Sequence, residues 1–189
     1  EKGYTHLSLK SHTGLLRYLV LRWGTRTNEL LVNIVTTDQS DFDENAFKEL
    51  ILGLKLENTV VGILHTINNA RADAVICDKL NILYGTPFYM EEILGLKFKV
   101  GAFSFFQTNV PAAERLYKDA LSLIPDIDGK TVFDLYCGTG TITQAMALKA
   151  KKAIGVEIVE DAVNSARANA ELNGLTNCEF ICGDVAEVL

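Results

Sequence analysis

The sequence offers no uninterrupted apolar run approaching the ~18 residues a membrane-spanning helix needs. Its most apolar early stretch, 15-LLRYLVLRW-23, is broken by Arg17 and Arg22, so no membrane role is expected. A short apolar signal core behind a basic start is also missing, and the first residue is Glu1 rather than Met. These features read as an excised piece of a longer, cytoplasmic protein. The four cysteines, Cys77, Cys137, Cys178 and Cys182, have no paired C-x-x-C spacing and no histidine nearby. A zinc site or disulfide framework is therefore not expected, nor any metal. Cys178 and Cys182 fall with Phe180 on one face of a strand, which suits core packing. His6, His12 and His65 are isolated and read as surface or internally satisfied residues. Positive charge is scarce too. Lys and Arg number 18 against 24 Asp and Glu, a net charge of −6, which gives no general attraction for nucleic acid. Only residues 1–26 run the other way, with Lys2, Lys10, Arg17, Arg22 and Arg26 against Glu1. That end is a solvated strand face or a place to touch phosphates.

What the chain has is enough apolar content, 48% of 189 residues, for a packed core. The first ~100 residues carry branched and aromatic runs between polar turns, predicting strands over 13–23, 29–37 and 59–67, with shorter ones at 74–78, 81–85 and 97–103. Between the second and third, Phe47, Leu50, Ile51 and Leu54 recur at helical spacing, predicting a helix over 43–54. This is an α+β layer whose composition names no function. From Asn109 the pattern changes. A helix is predicted over 113–124, with Asn109 as cap and Pro111 in the first turn. Then come strand 131–136, helix 141–149, strand 153–158, helix 160–172, strand 178–182 and a short helix at 185–189. This β-α-β-α-β order predicts parallel strands with right-handed crossovers, the first half of a doubly wound sheet. The boundary between the two parts is placed at 108/109.

In such a sheet the ligand lies beyond the carboxyl ends of the strands. The loop there reads 134-DLYCGTG-140. Gly138 and Gly140 allow a tight turn and close approach of a ligand, and the following helix offers free N–H groups. A dinucleotide site favours G-x-G-x-x-G, but 138-GTGTIT-143 has Thr143 where the third glycine belongs. Asp134, just before the loop, repels a pyrophosphate and suits an ammonium group. Glu157 ends the second strand, where a carboxylate accepts both hydroxyls of a ribose. Asp184 follows the third strand, within reach of an adenine amino group, though it would also serve as the cap of the short helix. Three carboxylates on successive strand ends around a glycine loop point to S-adenosylmethionine as cofactor.

The sequence resembles the RNA 5-methyluridine methyltransferases, which methylate uracil C5 in ribosomal or transfer RNA. The resemblance covers most of the chain and is carried by 103-FSFFQTN-109, 132-VFDLYCGTGTIT-143 and 155-GVEIVEDAVNSARANAELNG-174 in that order. It implies an α/β fold: the first half of a Rossmann-like class I S-adenosylmethionine methyltransferase sheet over 109–189, preceded by a strand-rich, RNA-contacting α+β domain over 1–108. Carried over by position, it implies cofactor contacts from Gln107, Tyr136, Thr141, Glu157 and Asp184, beside Asp134, Gly138 and Gly140. Some members have Asn in place of Thr141. Read without the family, Gln107 caps a helix or bonds backbone, and Phe103, Phe105 and Phe106 are core rather than a base-stacking platform.

Uracil C5 is a poor nucleophile, so the implied chemistry starts with a cysteine thiolate adding to C6, after which a general base removes the C5 proton. In the family that cysteine, its Asn-Pro neighbours and a terminal glutamate follow the cofactor half, beyond Leu189. Cys137 sits inside the cofactor loop, where the family also has a cysteine, and is not the nucleophile. No catalytic residue is assigned to this stretch, which by itself is expected to be inactive. The expected partner is RNA, ribosomal RNA before transfer RNA on the similarity of 155-GVEIVEDAV-163. A sheet ending after its third strand leaves the first strand's edge unpaired, open to dimerisation.

Overall fold

The computed structural model describes residues 2–72 and 76–188. Two compact units divide the chain: Glu1–Tyr89 with Gly101–Phe103, and Met90–Val100 with Ser104–Leu189. The units part some twenty residues before the boundary expected at 108/109. The physical reason is a strand the sequence pattern did not reveal.

In the first unit, β1 (Leu16–Trp23), β2 (Glu29–Thr36), β3 (Thr59–Ile67) and β4 (Lys79–Gly85) form one sheet in the order β1-β2-β3-β4. The β1/β2 and β3/β4 pairs are antiparallel and β2/β3 is parallel. A parallel pair needs a crossover, which α1 (Glu44–Leu52) supplies. Asp43 caps α1 by accepting a hydrogen bond from the Ala46 N–H. Packing of Ile51 and Phe47 on Leu30, Val32 and Ile63 forms this unit's core. Of the expected strand at 74–78, residues 74 and 75 lie outside the described residues, and 76–78 are not strand.

The unforeseen strand is β5 (Phe88–Ile93), which pairs with β6 (Leu96–Gly101) through a two-residue turn. Leu94 and Gly95 in that turn both have positive φ, 55° and 78°, as a type I′ hairpin turn requires. Residues 90–100 of the hairpin belong to the second unit and are held there. Glu114 of α2 (Val110–Ser122) accepts the Leu94 N–H. Asn173 and Asn169 accept the Lys97 and Lys99 N–H groups, and Asn173 returns a bond to the Lys97 carbonyl. Side chains from α4 (Glu160–Leu172) and its cap thus satisfy a strand edge that would otherwise seek a partner.

The rest of this unit follows the expected alternation: β7 (Thr131–Leu135), α3 (Thr141–Ala147), β8 (Lys152–Glu157), α4, β9 (Cys178–Cys182) and α5 (Val185–Val188). The three strands are parallel in the order β7-β8-β9. Asn109 caps α2 and Pro111 sits in its first turn. Small residues allow close packing of helices on the sheet: Ala147, Ala150 and Ala153 join Ile127 and Met146, while Ala166 and Ala170 join Val163 and Phe180. Among the described residues no strand pairs with the outer edge of β7, and Phe133 and Leu135 are exposed there. No described helix is long and apolar enough to cross a membrane.

Candidate functional site

The parallel order places the ends of β7, β8 and β9 side by side. Asp134 lies opposite Gly155, and Glu157 lies opposite Cys182. The loop from β7 to α3 then turns back on itself through three left-handed residues, Tyr136 (φ 67°), Gly138 (φ 55°) and Gly140 (φ 77°). Such a turn directs backbone N–H groups to one side, where a polar ligand is held. Tyr136 is the one residue of the three with a side-chain penalty for this conformation, and its ring is largely exposed. Strain of this kind gathers at ligand sites.

Each expected carboxylate has a distinct setting. Glu157 is half-buried; its Oε2 accepts the Gly138 N–H at 3.0 Å and its Oε1 accepts the Val159 N–H at 3.0 Å. The side chain therefore ties the glycine loop to the end of β8, and each oxygen keeps acceptor capacity for a further donor. Asp134 accepts a 2.6 Å hydrogen bond from the Thr143 hydroxyl. Burial raises the Asp134 carboxyl above the usual range, opposed by the hydrogen bonds from Thr143. Asp184 is exposed; its Oδ1 accepts the Ala186 N–H at 2.8 Å, the capping role open from the sequence. The preceding Gly183 N–H bonds to the Glu157 carbonyl at 3.0 Å, which keeps Asp184 beside Glu157. None of the ion pairs among the described residues involves these three acids.

Two other expected contacts are placed differently. Thr141 opens α3, and its hydroxyl lies 3.4 Å from the buried Tyr117 hydroxyl of α2. Gln107 is half-buried before α2, and no hydrogen bond among the described residues joins it to the loop. In the same segment Phe106 is buried against Phe98, with ring centroids 5.8 Å apart, whereas Phe103 and Phe105 are exposed. The basic N-terminal end is largely committed to the fold. Lys2 pairs with Asp43, and the Arg17 guanidinium donates to the carbonyls of Asn68, Ala70 and Ala72. His65 is a satisfied buried histidine, its ring nitrogens meeting Glu44 and Thr36.

Cys137 is buried in the loop. Its thiol is pushed up to about 12, chiefly by burial and then by the charges of Asp134 and Glu157. A thiol so far from ionising is a poor nucleophile at neutral pH. Its Sγ would lie 2.7 Å from a Cβ added at Gly155, so its role is to pack the loop onto β8. Brief alkylation of the native protein with iodoacetamide near pH 8 is expected to modify the exposed Cys182 and leave Cys137 intact until denaturation. Peptide mass spectrometry reads both, and rapid modification of native Cys137 would refute the assignment.

The residue that sequence reasoning undervalued is Thr143. It counted only as a missing third glycine; the structure makes it the donor to Asp134. A hydroxyl three residues into the helix that follows an acid-bearing strand was the available signal.

Residues 126–189 match the model of a methyltransferase domain. Over all 189 residues the chain is 53% identical to a Clostridium tetani protein named as an uncharacterized RNA methyltransferase, and covers 41% of its length. It is 52% identical over the same span to a protein of the same description from Caldanaerobacter subterraneus, covering 42% of it. The chain thus spans about two fifths of these relatives. Among solved structures, the Pyrococcus abyssi tRNA (uracil-54, C5)-methyltransferase in complex with S-adenosyl-L-homocysteine superposes with a TM-score of 0.74 at 27% identity. That match takes in 93% of this chain and 41% of the other.

Proposed function

We propose that this chain holds the S-adenosylmethionine site of an RNA methyltransferase, and that the whole protein methylates uracil at C5. The observation that carries the reading is the row of three carboxylates at the ends of three adjacent parallel strands. One of them, Asp134, is half-buried and, among the described residues, takes part in no ion pair. An ionised carboxylate in such a place is costly until a positive group joins it. The donor set fits the cofactor by its chemistry: Asp134 toward the ammonium, Glu157 toward the ribose diol, Asp184 toward the adenine amino group. Gly138 and Gly140 let the ligand approach the backbone. Tyr136, Thr141 and Gln107 complete the binding set on the family resemblance. When bound, the cofactor supplies an electrophilic methyl group. The residues of this chain orient it and exclude water, and Cys137 takes no part in bond formation.

Uracil C5 as the acceptor is supported by the motifs at 103–109 and 132–143 and by the uracil-C5 enzyme among the structural neighbours. The β1–β4 sheet would be the RNA-contacting domain, and 109–189 the N-terminal half of the methyltransferase domain. The sequence favours ribosomal RNA; the neighbour's transfer RNA substrate favours the second reading.

Methylation at C5 replaces the C5 hydrogen. The full-length protein, given S-adenosylmethionine and RNA labelled with tritium at uracil C5, is therefore expected to release one tritium to water per methyl group transferred. Parallel reactions on ribosomal and transfer RNA separate the two substrates. Methyl transfer without tritium release would rule out C5 as the acceptor.

A further inference from the structure

Thr143 is fully buried, three residues into α3, and its hydroxyl reaches nine residues back along the chain to Oδ2 of Asp134 at 2.6 Å. A hydroxyl has one proton to give, and here it goes to the carboxylate. Oδ2 is thereby held as an acceptor in one orientation. Nothing about packing demands the hydroxyl, since valine has the same shape and suits a buried helical position. Among the described residues no ion pair reaches Asp134. Gly155 is opposite on β8, and the Cys137 thiol in the loop feels the charges of both Asp134 and Glu157.

We propose that Thr143 is a positioning residue for the cofactor's amino acid part: its hydroxyl fixes Asp134 as the acceptor for the ammonium group. This rests on the S-adenosylmethionine reading of the site. The position that serves helix packing as glycine in a dinucleotide fold here holds an anion in place. The hydroxyl's hydrogen bond also counters the upward push of burial on Asp134, beside a second from the Thr143 backbone that a side-chain substitution keeps, so loss of the hydroxyl makes the carboxylate easier to protonate.

The test uses the full-length protein and two ligands, S-adenosylmethionine and 5′-methylthioadenosine, which keeps the nucleoside and lacks the amino acid. Titration calorimetry on wild type, Thr143→Val and Thr143→Ser at about pH 7.5 and about pH 5.5 separates the contributions. Thr143→Val is expected to weaken S-adenosylmethionine by ~10-fold, the size of one charge-assisted hydrogen bond, and to leave 5′-methylthioadenosine within ~2-fold. Thr143→Ser keeps the donor and should bind within ~3-fold of wild type. The acid-side loss of S-adenosylmethionine binding should be steeper in Thr143→Val than in wild type. Equal weakening of both ligands, or unchanged S-adenosylmethionine binding in Thr143→Val, would overturn the proposal. Should Thr143→Val fail to fold, Thr143→Ala carries the same comparison. Failure of wild type to bind S-adenosylmethionine would instead overturn the reading on which it rests.

Discussion

Replacement of Glu157 by alanine is expected to weaken S-adenosylmethionine binding by at least ~100-fold. The carboxylate does two jobs at once. It accepts the Gly138 and Val159 N–H groups at 3.0 Å each, and it keeps acceptor capacity for a ribose diol. A hydrogen bond to a charged group contributes ~1.5–3 kcal/mol. Two lost to the ribose give about 3–6 kcal/mol, and each 1.4 kcal/mol is tenfold in affinity. The loop that presents Gly138 also loses its tie to β8, which adds to the loss. Calorimetry measures the effect, with thermal unfolding as a check on the fold. Binding within ~3-fold of wild type would show that Glu157 does not face the cofactor.

The second large effect falls on stability. Gly140→Ala is expected to destabilise the second unit by about 2–4 kcal/mol. The backbone there has φ 77°, and an added Cβ would lie 2.7 and 2.9 Å from ring atoms of Phe180 and 3.0 Å from the Ala166 Cβ. The left-handed conformation costs a side chain ~1 kcal/mol, and overpacking of a filled core adds ~1–3 kcal/mol. Gly138→Ala is the matched control. Its φ is 55°, but nothing lies within 4 Å of an added Cβ, so only the ~1 kcal/mol conformational cost remains. Urea unfolding of the two variants gives the comparison. Equal losses would mean that Phe180 yields and the contact is soft.

These two residues also show which parts of the fold a sequence carries openly. The β7–β9 half was legible because its strands are short apolar runs, its helices have regular spacing, and Gly138 and Gly140 punctuate the first turn. The places of the carboxylates were legible because each stands at the end of a strand or just beyond it. β5 was not, because Glu91 and Glu92 interrupt its apolar pattern. Glu91 is nonetheless buried, at 1% exposure, and its Oε1 accepts the Glu92 N–H at 2.9 Å. Leu94 in a left-handed turn position gave no signal either, since leucine is not a turn residue. With β5 missed, the hairpin's attachment to α2 and α4 was missed as well. Arg17 illustrates a different limit. Its charge was visible in the sequence, but the loop carbonyls that occupy its guanidinium come from residues 68–72, more than fifty positions away. Long-range pairings of this kind have no local pattern. Thr143 falls between the two cases, visible as an exception to a glycine motif, with its partner set only by the crossover of α3 on β7.

By the proposed reading, the loop at 134–140, with its three carboxylates, takes S-adenosylmethionine rather than a dinucleotide. Calorimetric titration of the full-length protein with S-adenosylmethionine and, separately, with NAD tests it most directly. Saturable one-site binding of S-adenosylmethionine, lost in Glu157→Ala, is expected, with no heat of binding from NAD. Binding of NAD in competition with S-adenosylmethionine, or S-adenosylmethionine binding indifferent to Glu157, would contradict it.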